Sequence, residues 1–292
     1  MLAMRPGGRR RSGTGARAAV RVAVAAVLLA APTAAAPADR LLASARAVVR
    51  QHPGMWGQAP LARGRNVIVV GGSRALAADL ARLADGASRT IARVWGRPVD
   101  AVILVPATDD QAAELAAPAP VEGFAAFAAA DHVIVAPSGF ARLSETGRRV
   151  VVTHELTHLA TGAAVRPGMP PWLVEGFADY VGYLGSGLPV PVIAAELGAL
   201  VRGSAPGGSA FPGELPGRAD FAAHPAEAYE AAWLACRHIA ERYGEHALVA
   251  LYRAALREGI TAALRSTLAL TPAALTDEWR RYVREEVPVP PG

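Results

Sequence analysis

The run Val150-Val151-Val152-Thr153-His154-Glu155-Leu156-Thr157-His158-Leu159-Ala160 has the residue types and spacing most able to do chemistry. On a helix, His154 and His158 stand one turn apart on one face, so both imidazoles can approach a single metal ion. Glu155 lies beside the first histidine, where a carboxylate could take a proton from a metal-activated water. The same spacing occurs in helices carrying two ordinary histidines, so the chemistry needs a second piece. That piece is Pro170-Pro171-Trp172-Leu173-Val174-Glu175-Gly176-Phe177-Ala178-Asp179-Tyr180. A catalytic zinc takes a third protein ligand and keeps one position open. Glu175 is expected to open a second short helix after a proline-broken turn (Arg166 to Pro171), which lets that helix fold back onto the first. Asp179, one turn further on, shares its face. It can accept the spare ring N–H of a ligating histidine and fix its tautomer.

These two segments resemble the Glu-zincin metallopeptidases, and Trp-Leu-x-Glu-Gly-x-Ala-x-Tyr is most similar to the peptidase MA-like group. The resemblance extends over residues 66–282, with its specific motifs between His154 and Tyr180. It implies an α+β, zincin-like fold: an N-terminal α/β half with a mixed sheet and the active-site helix, then a helical half. It also implies a zinc-dependent peptidase acting on a peptide or protein substrate. His154, His158 and Glu175 would hold Zn2+, and Glu155 would be the general base that later protonates the leaving amine. Related peptidases draw a Tyr or His from the helical half to stabilise the oxyanion. Tyr229 is the candidate, with His224 and Tyr180 as alternatives, and Tyr229 reads equally as a packed helix tyrosine.

The zincin resemblance implies that a strand shortly before the motif helix forms the rim where an extended peptide docks by strand addition. His132-Val133-Ile134-Val135 is that candidate, and reads equally as a buried strand. No Gly-x-Met-Glu-Asn motif of the related aminopeptidases occurs, which favours an endopeptidase or a narrow processing role. For the third ligand, the next histidine after His158 is His224, and Glu196 and Glu214 lie beyond a loop. Asp179 has the shorter side chain and suits a supporting role. The alternative is a secreted or membrane-anchored zinc-binding or interaction protein with little turnover. Glu155 argues against it, since a structural site needs no base and closes all four positions.

The elements that must position these groups follow from pattern. Asp39 to Val49 is helical, and Gln51 to Arg63 reads as a loop. Asn66 to Val70, Val99 to Val105 and His132 to Ala136 are strands, and Phe124 to Ala129 is a strand or a tight turn. Ser73 is expected to cap a helix over Arg74 to Val94, and Asp109 to Ala117 is a short helix. The strand followed by Gly71-Gly72 lacks the third glycine and later acid of a dinucleotide loop. Gly162 can end the motif helix. A helix is expected over Val192 to Val201, then a Gly/Pro/Ser-rich segment from Gly203 to Pro216. Helices follow over Ala226 to Tyr243, Ala247 to Arg257, Ile260 to Leu268 and Pro272 to Glu286, with apolar faces that read as core. His238 and His246 read as surface or helix-end residues. Cys236 reads as core.

Residues 1–38 read as a secretory signal: six arginines without an acid, the apolar run Val22 to Ala31, and the small-residue site Ala36-Pro37-Ala38. An uncleaved anchor is the alternative and the only route here to a membrane. Residues 39–162 and 163–292 would be the two halves of one peptidase domain. The net charge of +5 belongs to this leader. Removing its six arginines from the 30 basic residues leaves 24 against 25 acidic ones, which gives nucleic acid no basic stripe to bind. Every basic residue is arginine, so Schiff-base catalysis and a P-loop lysine are excluded. The single cysteine excludes an intramolecular disulfide.

Overall fold

In the computed structural model, residues 37–117, 123–162, 168–203 and 213–287 are described. The expected leader up to residue 36 lies outside them. So do the start of the proline-broken turn, most of the Gly/Pro/Ser-rich segment and the tail from residue 288. The first half contains α1 (Pro37–Gln51), α2 (Pro53–Trp56), β1 (Leu61–Arg63), β2 (Val67–Gly71), α3 (Arg74–Trp95), β3 (Ala101–Val105) and α4 (Asp109–Ala116). It continues with β4 (Ala126–Ala128), β5 (His132–Val135), α5 (Pro137–Ala141) and α6 (Glu145–Thr161). The helical half contains α7 (Pro171–Tyr183), α8 (Val190–Ile193), α9 (Ala195–Gly203), α10 (Arg218–Ala223), α11 (Pro225–Tyr243), α12 (Glu245–Glu258), α13 (Ile260–Leu268) and α14 (Pro272–Glu286). The architecture is therefore α+β with a mixed sheet and a helical second half. Among the described residues, no helix is long and apolar enough to cross a membrane.

The sheet order is β1-β2-β3-β5-β4. The inner strands β2, β3 and β5 run parallel and are almost unbroken Val, Ile and Leu, as strands buried on both faces must be. Alternate residues serve opposite faces. Val69, Ile103, Val133 and Val135 join the main core, while Ile68, Val102, Leu104 and Ile134 pack with residues of α1 and α4. The short edge strands β1 and β4 pair antiparallel. At the end of β2 the chain turns at Gly71, with φ +95°, where an added Cβ would lie 2.1 Å from the Val105 carbonyl oxygen. Only glycine fits there.

Local chemistry sets the helix that matters most. Ser144 caps α6 by accepting from Gly147 N at 3.1 Å. Gly162, at φ +65°, ends the helix by donating its N–H to the His158 carbonyl. α7 begins at Pro171, whose fixed φ suits the first helical turn, so Glu175 sits in the second turn and does not open the helix as expected.

α7 runs between α6 and α11 and touches both closely through two glycines. An ideal Cβ on Gly176 would lie 2.2 Å from the Ala232 carbonyl oxygen of α11. One on Gly182 would lie 3.1 Å from the Val150 carbonyl oxygen of α6. Leu173 and Phe177 are fully buried, each contributing about 1.5–3 kcal/mol. Phe177 also joins the rings of Trp95 and Tyr252 at 5.8 and 4.7 Å, which ties α7 to α3 and α12. Tyr252 donates its hydroxyl to Thr161 on α6 at 3.2 Å. One core therefore spans both halves.

Candidate metal centre

α6 places His154 and His158 on one face, their rings 4.6 Å apart and nearly perpendicular. The two Nε2 atoms lie 2.9 Å apart, and Glu175 Oε2 from α7 lies 3.3 Å from each. Three lone-pair atoms from two helices thus converge on one point, and this group could hold a metal ion. Ligands at about 2.0–2.1 Å in a tetrahedral shell stand about 3.3 Å apart, so the two histidine–carboxylate separations already fit and the imidazoles need open only slightly.

The tautomers fit a metal as well. His154 Nδ1 shares a 2.8 Å hydrogen bond with Asp179 Oδ1. An Nδ1–H donated to that carboxylate leaves Nε2 bare for an ion. His158 lacks the equivalent support: its Nδ1 is buried with no partner among the described residues. The two imidazoles are therefore held unequally at Nδ1: His154 by a carboxylate, His158 by no partner among the described residues.

The charges of the cluster are coupled. Burial alone would lower the His154 pKa, but Asp179, Glu175 and Glu155 outweigh it and hold the ring well above the usual histidine value. Burial would raise Glu175, yet His158 and His154 hold its carboxyl well below the usual range. Glu155 is raised, chiefly by burial, against the pull of the two histidines. The nearby backbone N–H of Ala128 in β4 lowers it in part.

A cleft of about 730 Å³ opens over this cluster. β4 and the end of α4 line one side, and Tyr183, Arg218 and Tyr229 contribute from the helical side. The Tyr229 ring stands 6.2 Å from that of His154 and 5.0 Å from that of Phe221. Burial, with Glu175, Asp179 and Glu155 nearby, pushes its phenol well above the usual value, so it is a proton-bearing donor at neutral pH.

No protein-family model matches the chain, and no curated protein does either. The site therefore rests on its own geometry, against which each expected residue can be placed. His154, His158 and Glu175 come together, Asp179 touches His154, and Glu155 and Tyr229 line the same cleft.

The alternatives to Tyr229 do not reach it. Tyr180 donates its hydroxyl to Glu245 at 3.0 Å, and His224 is an exposed residue between α10 and α11. Glu196 and Glu214 are exposed and outside the metal group. His238 is not at the surface as expected: it is buried against Glu278 at 3.2 Å. The rim strand also needs correction. β5 is paired on both sides, by β3 and β4, so it has no free edge. Among the described residues, the edge left unpaired beside the cleft is that of β4. In that hairpin Ala129 donates to His132 and Ala136 to Ala125, so the odd-numbered residues face β5. Ala126 and Ala128 turn their backbone groups outward. Sequence reasoning missed this edge and Arg218.

Proposed function

We propose that the protein is an exported zinc metallopeptidase of zincin type, cleaving peptide bonds in extended substrates. The observation that carries the reading is the combination at one point: three converging ligand atoms, and a further carboxyl, Glu155, in the same cleft but outside the ligand group. A purely structural metal site has no use for that extra carboxylate. The donor set of two imidazoles and one carboxylate suits zinc with an open position, and the zinc would supply Lewis acidity toward the scissile carbonyl and the attacking water.

The chain's own residues do the rest. Glu155 takes the proton of the attacking water and passes it to the leaving amine. Asp179 fixes the ring of His154. Tyr229 donates its hydroxyl to the developing oxyanion from the helical side. An extended peptide docks along β4, the edge strand whose residues line the cleft. The leader expected over residues 1–38 would export the protein, with release after Ala38.

Metal analysis of the exported protein, paired with a peptide-library digest of wild type and Glu155→Gln, tests this. We expect about one zinc per chain in both, with hydrolysis lost on the order of a thousandfold or more in Glu155→Gln. Zinc lost together with activity would show that Glu155 is a ligand. A metal-loaded wild type that cleaves nothing in the library would return the site to a binding role.

A further inference from the structure

Arg218 belongs to no step described so far, yet it lines the metal cleft. It stands at the start of α10, which is held to α11 by the packing of Phe221 on Tyr229. Its side chain is exposed and has no ion-pair partner among the described residues. Among those residues it is the cleft's one cationic side chain besides the two histidines of the metal group. The acids there are Glu155, Glu175 and Asp179. Arg218 is thus the one guanidinium that faces these three carboxyl groups across the cleft. A peptide bringing a carboxylate into the cleft would otherwise meet an excess of negative charge.

We propose that Arg218 selects substrates, by pairing its guanidinium with a carboxylate that the peptide presents on the helical side of the cleft. The planar fork of arginine matches a carboxylate bidentately, and the wet cleft mouth keeps the effect moderate. That carboxylate is either the free C-terminus of the peptide or an Asp or Glu side chain near the scissile bond. The proposal rests on the peptidase reading given above.

The test uses matched peptides that share one scissile bond: free against amidated C-terminus, and Asp or Glu against Asn or Gln. Values of kcat/KM are measured for wild type, Arg218→Gln and Arg218→Lys, with Arg265→Gln on α13 as a control for charge removal elsewhere. Binding of the same peptides to Glu155→Gln is measured at low and high salt, with and without Arg218→Gln. We expect wild type to favour the carboxylate member of one pair about five- to tenfold. Arg218→Gln should erase that preference, Arg218→Lys should retain part of it, and salt should weaken it. The pair that shows the preference identifies the source. No preference in either pair, or one that survives Arg218→Gln, overturns the proposal. Binding is read without turnover, so a wild type that cleaves nothing would sink the peptidase reading while the binding arm still decides Arg218.

Discussion

Gly176→Ala is the substitution through which fold and site can be tested together. The added Cβ would lie 2.2 Å from the carbonyl oxygen of Ala232, 2.6 Å from its carbon and 3.0 Å from Cys236 Sγ. Ordinary contact begins near 3.4 Å, so α7 and α11 must separate by about 1 Å. The nearest obstacle is backbone, which no rotamer change can move aside. On its other side α7 already lies against α6 through Gly182, so it cannot simply shift away. Overpacking of this kind costs about 1–3 kcal/mol, and the better helix propensity of alanine returns about 0.5–1 kcal/mol. The net loss is about 1–2 kcal/mol, a fall in Tm of about 3–6 °C for a domain this large.

Glu175 is the neighbouring residue, so the same displacement carries its carboxylate off the point shared with His154 and His158. A 1 Å misplacement lowers kcat/KM about 10²-fold, and metal affinity should fall with it. Gly86→Ala in α3 is the control. Its Cβ would meet nothing closer than the end of Arg89 at 3.7 Å, so there the substitution should stabilise by about 0.5–1 kcal/mol. The measurements are a melting curve and a chelator-competition titration for each variant. A Gly176→Ala protein with wild-type Tm and metal affinity would refute the claim that close approach of α7 to α11 sets the position of Glu175.

Glu175→Ala should abolish tight metal binding while Glu196→Ala leaves it unchanged, read as metal content after dialysis against a mild chelator; equal metal in wild type and Glu175→Ala would remove the third ligand from the scheme. Asp179→Ala should lower metal affinity about 10–100-fold with the fold intact, and an unchanged titration would show that the 2.8 Å contact with His154 is idle. Tyr229→Phe should lower kcat about 10²-fold with little change in KM, and a wild-type kcat would make Tyr229 a packing residue. Glu230 accepts the backbone N–H groups of Glu196 and Leu197, and burial raises its pKa from 4.5 to about 6. The native state therefore favours its protonated form, a contribution fully present below pH 4.5 and lost as pH rises through about 6. Relative to Glu230→Gln, wild type should lose Tm across that window, and a difference in Tm that does not vary with pH would contradict the assignment.

What the sequence revealed of this molecule depended on whether the relevant physics is local. The pairing of His154 with His158 needs only helical spacing, and the turn from Ser73 into α3 needs only a cap and a glycine bend, so both were legible. The apolar runs of β2 and β3 announced buried strands for the same reason. Strand order is not local. Nothing in His132 to Val135 says that a second strand will close its free side. The three-residue β4 lies in a run of alanines with no period that could announce an edge.

Arg218 reaches the cleft across the fold, after a Gly/Pro/Ser-rich segment that carries no pattern. The Ala128 N–H near Glu155 has no sequence signal at all, because every residue but proline owns such a group. Gly176 is the instructive middle case. In the sequence it is one letter of a motif beside Glu175. In the fold it is the contact that lets α11 approach within 2.2 Å of where a side chain would begin. The Glu175-Gly176 pair therefore couples a ligand to the packing that sets its reach, and a carboxylate on that turn without the glycine would point from a helix held about 1 Å elsewhere.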